Sequence, residues 1–172
     1  MWSSCKGYGS KFNITITIIN NKSMKISISK SPIDKNEKGV WAKVCYEEQT
    51  LTISELMGRL LEGYAISHTF KGKRKNENFV KTEYVGIDFD EFFMSYQDFY
   101  QSVPNELKPS ISYTTSNDGI KGNRFRFLYV FNQPITSKQL YEYIYTIICD
   151  KLGVQLKDHC GRKITQQMAG TL

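Results

Sequence analysis

The chain has 172 residues, 40% of them hydrophobic and 13% aromatic, with a net charge of +6. That is enough for one domain with a substantial core, or for two small lobes sharing one. No apolar run approaches the roughly 20 residues of a membrane span, and the N-terminus lacks a signal-peptide pattern. The expectation is a soluble cytoplasmic protein. The positive charge favours a polyanionic partner without identifying it. Cys5, Cys45, Cys149 and Cys160 are scattered and form no CxxC pair, so they read as reduced thiols rather than zinc ligands. His159-Cys160 lacks the second pair a structural site needs.

In chain order, Phe12, Ile14, Ile16 and Ile18 alternate with polar residues, Asn20-Asn21-Lys22 is turn-like, and Met24, Ile26 and Ile28 resume the alternation. This predicts a β-hairpin. A polar connector follows from Ser31 to Lys38. A helix is expected near Thr52, where Thr52-Ile53-Ser54-Glu55 has capping-box spacing, with Leu56, Leu60 and Leu61 as its stripe and Gly63 as its stop. Lys71 to Lys75 is a basic stretch. Tyr84 to Asp90 reads as a buried strand, Glu91 to Tyr100 as a helix, Ser110 to Thr115 as a strand, and Ser116 to Asn123 as a Gly-containing loop. Arg124 to Phe131 is a strong strand ended by Pro134. Ser137 caps a helix with Leu140, Ile144, Ile147 and Ile148 on one face, stopped by Gly153. The tyrosines of that helix read as packing, and His68 as structural. The tail from Val154 is a strand and turn. The order implies an α+β fold, with residues 1–50 a β-rich supporting region and 51–172 the core.

The segment Tyr84-Val85-Gly86-Ile87-Asp88-Phe89-Asp90-Glu91 carries the chemistry. Alternation sends Val85, Ile87 and Phe89 to one face and Gly86, Asp88 and Asp90 to the other. Two carboxylates about 7 Å apart on a strand, twice the strand rise, repel unless a cation sits between them. Hard oxygen donors select Mg²⁺ or Mn²⁺, and Gly86 is expected to keep that face open. Arg124 and Arg126 share a face of the later strand. Beside the Asp strand they could meet a triphosphate, or else simply pair with Asp88 or Asp90. Lys73, Arg74 and Lys75 are a solvated loop or a contact to a nucleic-acid backbone.

Three segments together resemble the archaeo-eukaryotic primase (primase-polymerase) superfamily, in its bacterial, phage and plasmid branch, over roughly residues 56–172. Val85-Gly86-Ile87-Asp88-Phe89-Asp90 is similar to the first motif. Ser112 to Asp118 followed by Arg124 to Thr136 is similar to the second region, with its "Pro-Ile-Thr" step into a helix. Leu156-Lys157-Asp158-His159-Cys160-Gly161-Arg162, with Gln167 and Gly170-Thr171 downstream, is similar to the third. Lys73 to Phe79 resembles the lead-in to the first motif. One departure stands out: the family's Ser-x-His, whose histidine contacts nucleotide phosphates, is replaced at the matching positions by Asn117 or Asp118.

The resemblance implies an RRM-like mixed or antiparallel sheet with helices on one side. It also implies template-directed synthesis of primers or DNA from NTP or dNTP during replication of a phage or mobile element. Asp88, Asp90 and Asp158 would be the catalytic, metal-holding acids for Mg²⁺ or Mn²⁺. Arg124, Arg126, Ser116 and Asn117 would contact nucleotide, and Lys73, Arg74 and Lys75 a single-stranded DNA template. Relatives often continue into a helicase, so this piece is expected to be the front of a longer replication protein, with a helicase domain or subunit as partner. The alternatives are a catalytically silent single-stranded nucleic-acid-binding module of a replication initiator, and a metal-dependent nuclease using the same acids.

Overall fold

The structure, a computed structural model, describes residues 23–34, 37–154 and 160–171. It is α+β, with two four-stranded antiparallel sheets and four α-helices among the described residues. The first strand of the predicted N-terminal hairpin, around Phe12 to Ile18, lies outside them. Its second strand is β1 (Ser23–Ser29).

The first sheet joins β1 to β2 (Tyr46–Thr52), β3 (Ala65–Ser67) and β8 (Met168–Ala169), in the order β2-β1-β3-β8. The second contains β4 (Thr69–Phe70), β5 (Phe79–Phe92), β6 (Ile111–Thr114) and β7 (Asn123–Ile135), in the order β4-β5-β7-β6. The short α1 (Val40–Lys43) precedes β2, and α2 (Ile53–Leu61) follows it; α3 (Tyr96–Ser102) connects β5 to β6, and α4 (Lys138–Leu152) follows β7. The run β5-α3-β6-β7-α4, with β7 between β5 and β6, is the strand order of an RRM-like unit.

Helices α3 and α4 cover one face of the second sheet. Val85, Ile87, Phe89, Phe125 and Phe127 pack there against Phe99, Tyr141, Ile144, Tyr145 and Ile148. The first sheet and α2 cover the other face, where Tyr84, Leu128, Val130, Ile111 and Tyr113 meet Met24, Ile26, Ile28, Leu56, Leu60 and Met168. A central strand covered on both sides must be apolar on both, which is why β5 is buried without interruption from Tyr84 to Phe89.

The capping box forms as expected: Thr52 Oγ1 accepts from the Glu55 N–H at 3.2 Å, and the Glu55 carboxylate accepts from the Thr52 N–H at 2.8 Å. Other expectations need correction. In α2, Ile53 joins Leu56 and Leu60 on the buried face, while Leu61 is 58% exposed. In α4 the buried stripe is Tyr141, Ile144, Tyr145 and Ile148, with Leu140 exposed and Ile147 only half-buried. The packing role expected for the tyrosines holds for Tyr141 and Tyr145, while Tyr143 is 50% exposed. Residues 91 and 92 belong to β5 and not to a helix, because Phe92 packs on Phe89 at 5.1 Å; α3 starts only at Tyr96, after the Ser95 cap. Strand β7 runs past Pro134 to Ile135, which pairs with Thr82 across an irregularity where a missing N–H is tolerated.

His68 sits where the chain leaves the first sheet for the second. It is buried, its Nδ1 lies 2.9 Å from Thr82 Oγ1, and its ring packs on Tyr84 and Tyr141 at 4.8 and 4.9 Å. Burial lowers its pKa from 6.5 to about 3. The unfolded chain therefore binds a proton below about pH 6.5 that the folded chain refuses until near pH 3, so stability falls as pH drops through that window. Unfolding by urea at about pH 5 should show about 2 kcal/mol less stability from this group than at about pH 7. His68→Gln should flatten that slope; an unchanged slope would remove His68 as its source.

Candidate functional site

Strands β5 and β7 are neighbours, and their register sets Asp88 opposite Arg126 and Phe89 opposite Phe125. On the helix-facing side, Phe89 stacks on Phe125 at 4.5 Å and packs edge-on to Phe99 at 5.3 Å, which fixes the end of the strand that bears the acids. On the opposite side, Asp88, Arg126 and Tyr113 form one cross-strand row, since β6 pairs Tyr113 with Arg126.

Asp88 is only 8% exposed and is held in a two-pronged pair with Arg126, Nε to Oδ1 at 2.8 Å and Nη2 to Oδ2 at 3.2 Å. Arg126 Nη1 also donates to the Ala169 carbonyl, which accepts from Tyr113 Oη at 3.3 Å. The row thus ties the second sheet to β8 of the first. Burial alone would favour a neutral guanidine, but the Asp88 carboxylate, with Tyr113 beside it, outweighs burial and raises the Arg126 pKa.

One step further along β5, Asp90 and Glu91 together oppose the single Arg124, a bulge in which Glu91 takes φ 52°. Arg124 Nη1 lies 3.0 Å from Asp90 Oδ1, and its Nη2 lies 3.4 Å from Glu91 Oε1. Asp90 is 39% exposed on its side chain, so this second pair faces solvent. The loop from Ser116 to Gly122 closes on it: the Arg124 N–H donates to Asp118 Oδ1 at 2.7 Å, and the Thr115 N–H to the Arg124 carbonyl at 2.9 Å. Asn117 uses its carbonyl inside the loop, accepting from Ile120 and Lys121. Asp118 is therefore a loop clamp.

The expectation that Gly86 leaves this face open is corrected. A Cβ at Gly86 would lie 2.3 Å from Met168 Cε and 3.0 Å from Leu128 Cδ2, so β8 closes the face there. The glycine admits the methionine, Asp88 beside it is buried too, and the accessible part of the strand begins at Asp90. Asp158 lies outside the described residues. Among those described, no group of three or more His, Cys, Asp or Glu side chains gathers as metal ligands.

Asp88, Asp90, Arg124, Arg126, Ser116 and Asn117 are brought to one end of the central strands. Lys73, Arg74 and Lys75 are not. Their loop returns to the chain at Asn78, just before β5 begins at Phe79. Asp88 is nine residues along that strand, about 30 Å at roughly 3.3 Å per residue. Three contributors escape a sequence reading. Tyr113 and the Ala169 carbonyl meet Arg126 only through tertiary pairing. Glu91 was legible as a third acid after Asp88 and Asp90, but not as a bulge residue.

No family model matches the chain, and no curated protein sequence matches it. Among solved structures, the chain is similar to the AEP domain of the primase-polymerase of cyanophage S-2L, with 13% sequence identity and a TM-score of 0.45, over 86% of this chain and 72% of that one. No helix among the described residues is long and apolar enough to cross a membrane.

Proposed function

We propose that the chain is a primase-polymerase catalytic domain that transfers nucleotides from NTP or dNTP to a strand paired with a single-stranded DNA template. The observation that carries this reading is the pairing of two acids with two arginines at one end of β5 and β7, Asp88 with Arg126 and Asp90 with Arg124, beside the Ser116–Asn117 loop. A metal-bound triphosphate presents both charges such a row accepts: its oxygens suit guanidinium forks and its cations suit carboxylates. Binding it exchanges partners without stranding a charge.

The donor set suits Mg²⁺ or Mn²⁺, which have hard-oxygen preferences. Bound there, the ion would supply positive charge where negative charge builds at the transferring phosphorus. Asp88 and Asp90 would hold it, with Asp158 as the third acid. Arg124 is the arginine best placed to move, because its pair faces solvent. Arg126, tied also to Ala169, would orient Asp88. Ser116 and Asn117 would line the phosphate path.

A second reading is supported by the same pairs. Both acids are already neutralised, and no histidine stands where the related motif has Ser-x-His. A silent module that binds single-stranded nucleic acid would look the same. A nuclease would need these acids but no nucleotide.

Triphosphate and metal binding separate the readings. Mn²⁺ affinity, followed by electron paramagnetic resonance, should tighten by about tenfold when a non-hydrolysable dNTP analogue is present, a coupling of ordinary allosteric size. Asp90→Asn should abolish the tightening. Mn²⁺ binding that ignores nucleotide, with single-stranded DNA still bound, would favour the silent module.

A further inference from the structure

At the far end of β5 from the acids, a cavity of about 530 Å³ opens between α1, the start of β2, the β3–β4 segment and the Gly72–Arg74 loop. Its volume is that of a small-molecule pocket. The loop is built rather than slack: Gly72 takes φ 82°, the Lys71 N–H donates to the Asn78 carbonyl at 2.8 Å, and Asn78 Nδ2 donates to the Lys73 carbonyl at 2.7 Å.

The polar groups of this pocket are unevenly satisfied. Arg74 is partly buried, burial lowers its pKa, and it forms no ion pair with a described residue. A guanidinium drawn out of water without an anion is unfavourable. Ser67 and Tyr46 line the cavity, and their hydroxyls, themselves buried, have no hydrogen-bond partner among the described residues. Two acids also line the cavity. Glu48, on the sheet face of Ser27 and Ser67, pairs with Lys81 at 3.3 Å and accepts from Thr69 at 3.2 Å, while the Glu47 side chain shares the other face with Ile28 and accepts from Gln49 at 2.6 Å. The pocket is thus cationic at Lys73 and Arg74 and walled by Trp41 and Phe70.

We propose that this pocket binds a nucleotide unit, its base against Trp41 and Phe70 and its phosphate on Arg74 and Lys73. A ligand with an anionic end and a flat apolar body matches both regions at once. Aromatic stacking tolerates any base, and the arginine fork suits phosphate. The same chemistry comes from a free nucleotide or from one residue of a single strand. His68 at the pocket wall bonds to Thr82, six residues before Asp88 on β5 and so about 20 Å away by strand rise, which separates the pocket from the acid site.

The test uses the quenching of Trp41 fluorescence in a Trp2→Phe chain, in EDTA so that no metal-dependent binding contributes. A nucleoside monophosphate, its phosphate-free nucleoside and a short oligothymidylate are titrated separately. A saturable quench by the monophosphate assigns a free nucleotide; a quench by the oligonucleotide alone assigns a strand. In either case Arg74→Met should weaken binding by about tenfold or more, as expected for a lost charge-assisted contact. Lys73→Ala, at an exposed position, should weaken it less, and Asp90→Asn should leave it unchanged, which separates this pocket from the proposed catalytic row. No saturable quench by any of the three, or equal binding by wild type and a folded Arg74→Met chain, would overturn the proposal. So would a nucleoside that binds as tightly as its monophosphate.

Discussion

Asp88→Ala is expected to destabilise the fold by about 3 kcal/mol, lowering the melting temperature by roughly 6–12 °C in a chain of this size. The substitution removes the carboxylate paired with Arg126 and leaves its cation at the junction of the two sheets, where it also holds the Ala169 carbonyl. Stranding one member of a buried pair is worse than removing both, because the desolvated charge has lost its compensation. Adding Arg126→Met to Asp88→Ala should therefore recover part of the loss. Thermal unfolding of the two chains checks this. A loss below about 1 kcal/mol for Asp88→Ala would mean that the pair is exposed enough to be replaced by water. The consequence for function is direct: lost activity in an Asp88 variant is uninterpretable until the chain is shown to be folded.

Gly170→Ala is the second large effect. Gly170 is buried, donates its N–H to the Tyr64 carbonyl at 2.9 Å, and precedes Thr171, which donates to the Leu60 carbonyl at 2.8 Å. A Cβ there would lie 1.9 Å from the Leu60 carbonyl oxygen and 2.7 Å from its carbon. Those are backbone atoms at the end of α2 and cannot rotate aside, so β8 must shift off β3. The expected loss is about 3 kcal/mol, the upper part of the usual overpacking range. Gly86→Ala is a useful contrast, since the atoms in its way belong to the flexible Met168 side chain. It should be milder in the same denaturation experiment, and the reverse ranking would contradict the packing described for β8.

The local features of this fold were legible because local chemistry sets them. The Thr52–Glu55 box, the Ser137 cap, the Gly153 stop at φ 66° and the strand alternation through Val85, Ile87 and Phe89 depend on neighbours a few residues apart. The juxtaposition of the acids with Arg124 and Arg126 was also within reach, because a face-sharing pair on each of two strong strands has few places to go. The second buried face of β5 was not legible. It depends on β8, two residues long and more than seventy residues downstream, and nothing in Met168-Ala169 announces a strand. The same long-range closure makes Asp88 a buried ion-paired residue where alternation alone suggested an open one. The separation of the Lys73–Lys75 loop from the acids likewise follows from the length of β5, which runs from Phe79 to Phe92 and not only from Tyr84. A strand covered on both faces hides its polar start behind mixed burial, so its full reach is missed.

The account stands or falls on nucleotide transfer at the acid row. The most direct measurement is primer synthesis and extension on single-stranded DNA, supplied with NTP or dNTP and Mg²⁺ or Mn²⁺, comparing wild type with Asp90→Asn. Asp90 is the right position because its pair with Arg124 faces solvent and its loss should spare the fold. The account predicts product from wild type and a loss of at least about a hundredfold in Asp90→Asn at unchanged melting temperature, the scale expected when a group stabilising transition-state charge is removed. Equal product from the two chains, or none from a folded wild type that still binds single-stranded DNA, would contradict it.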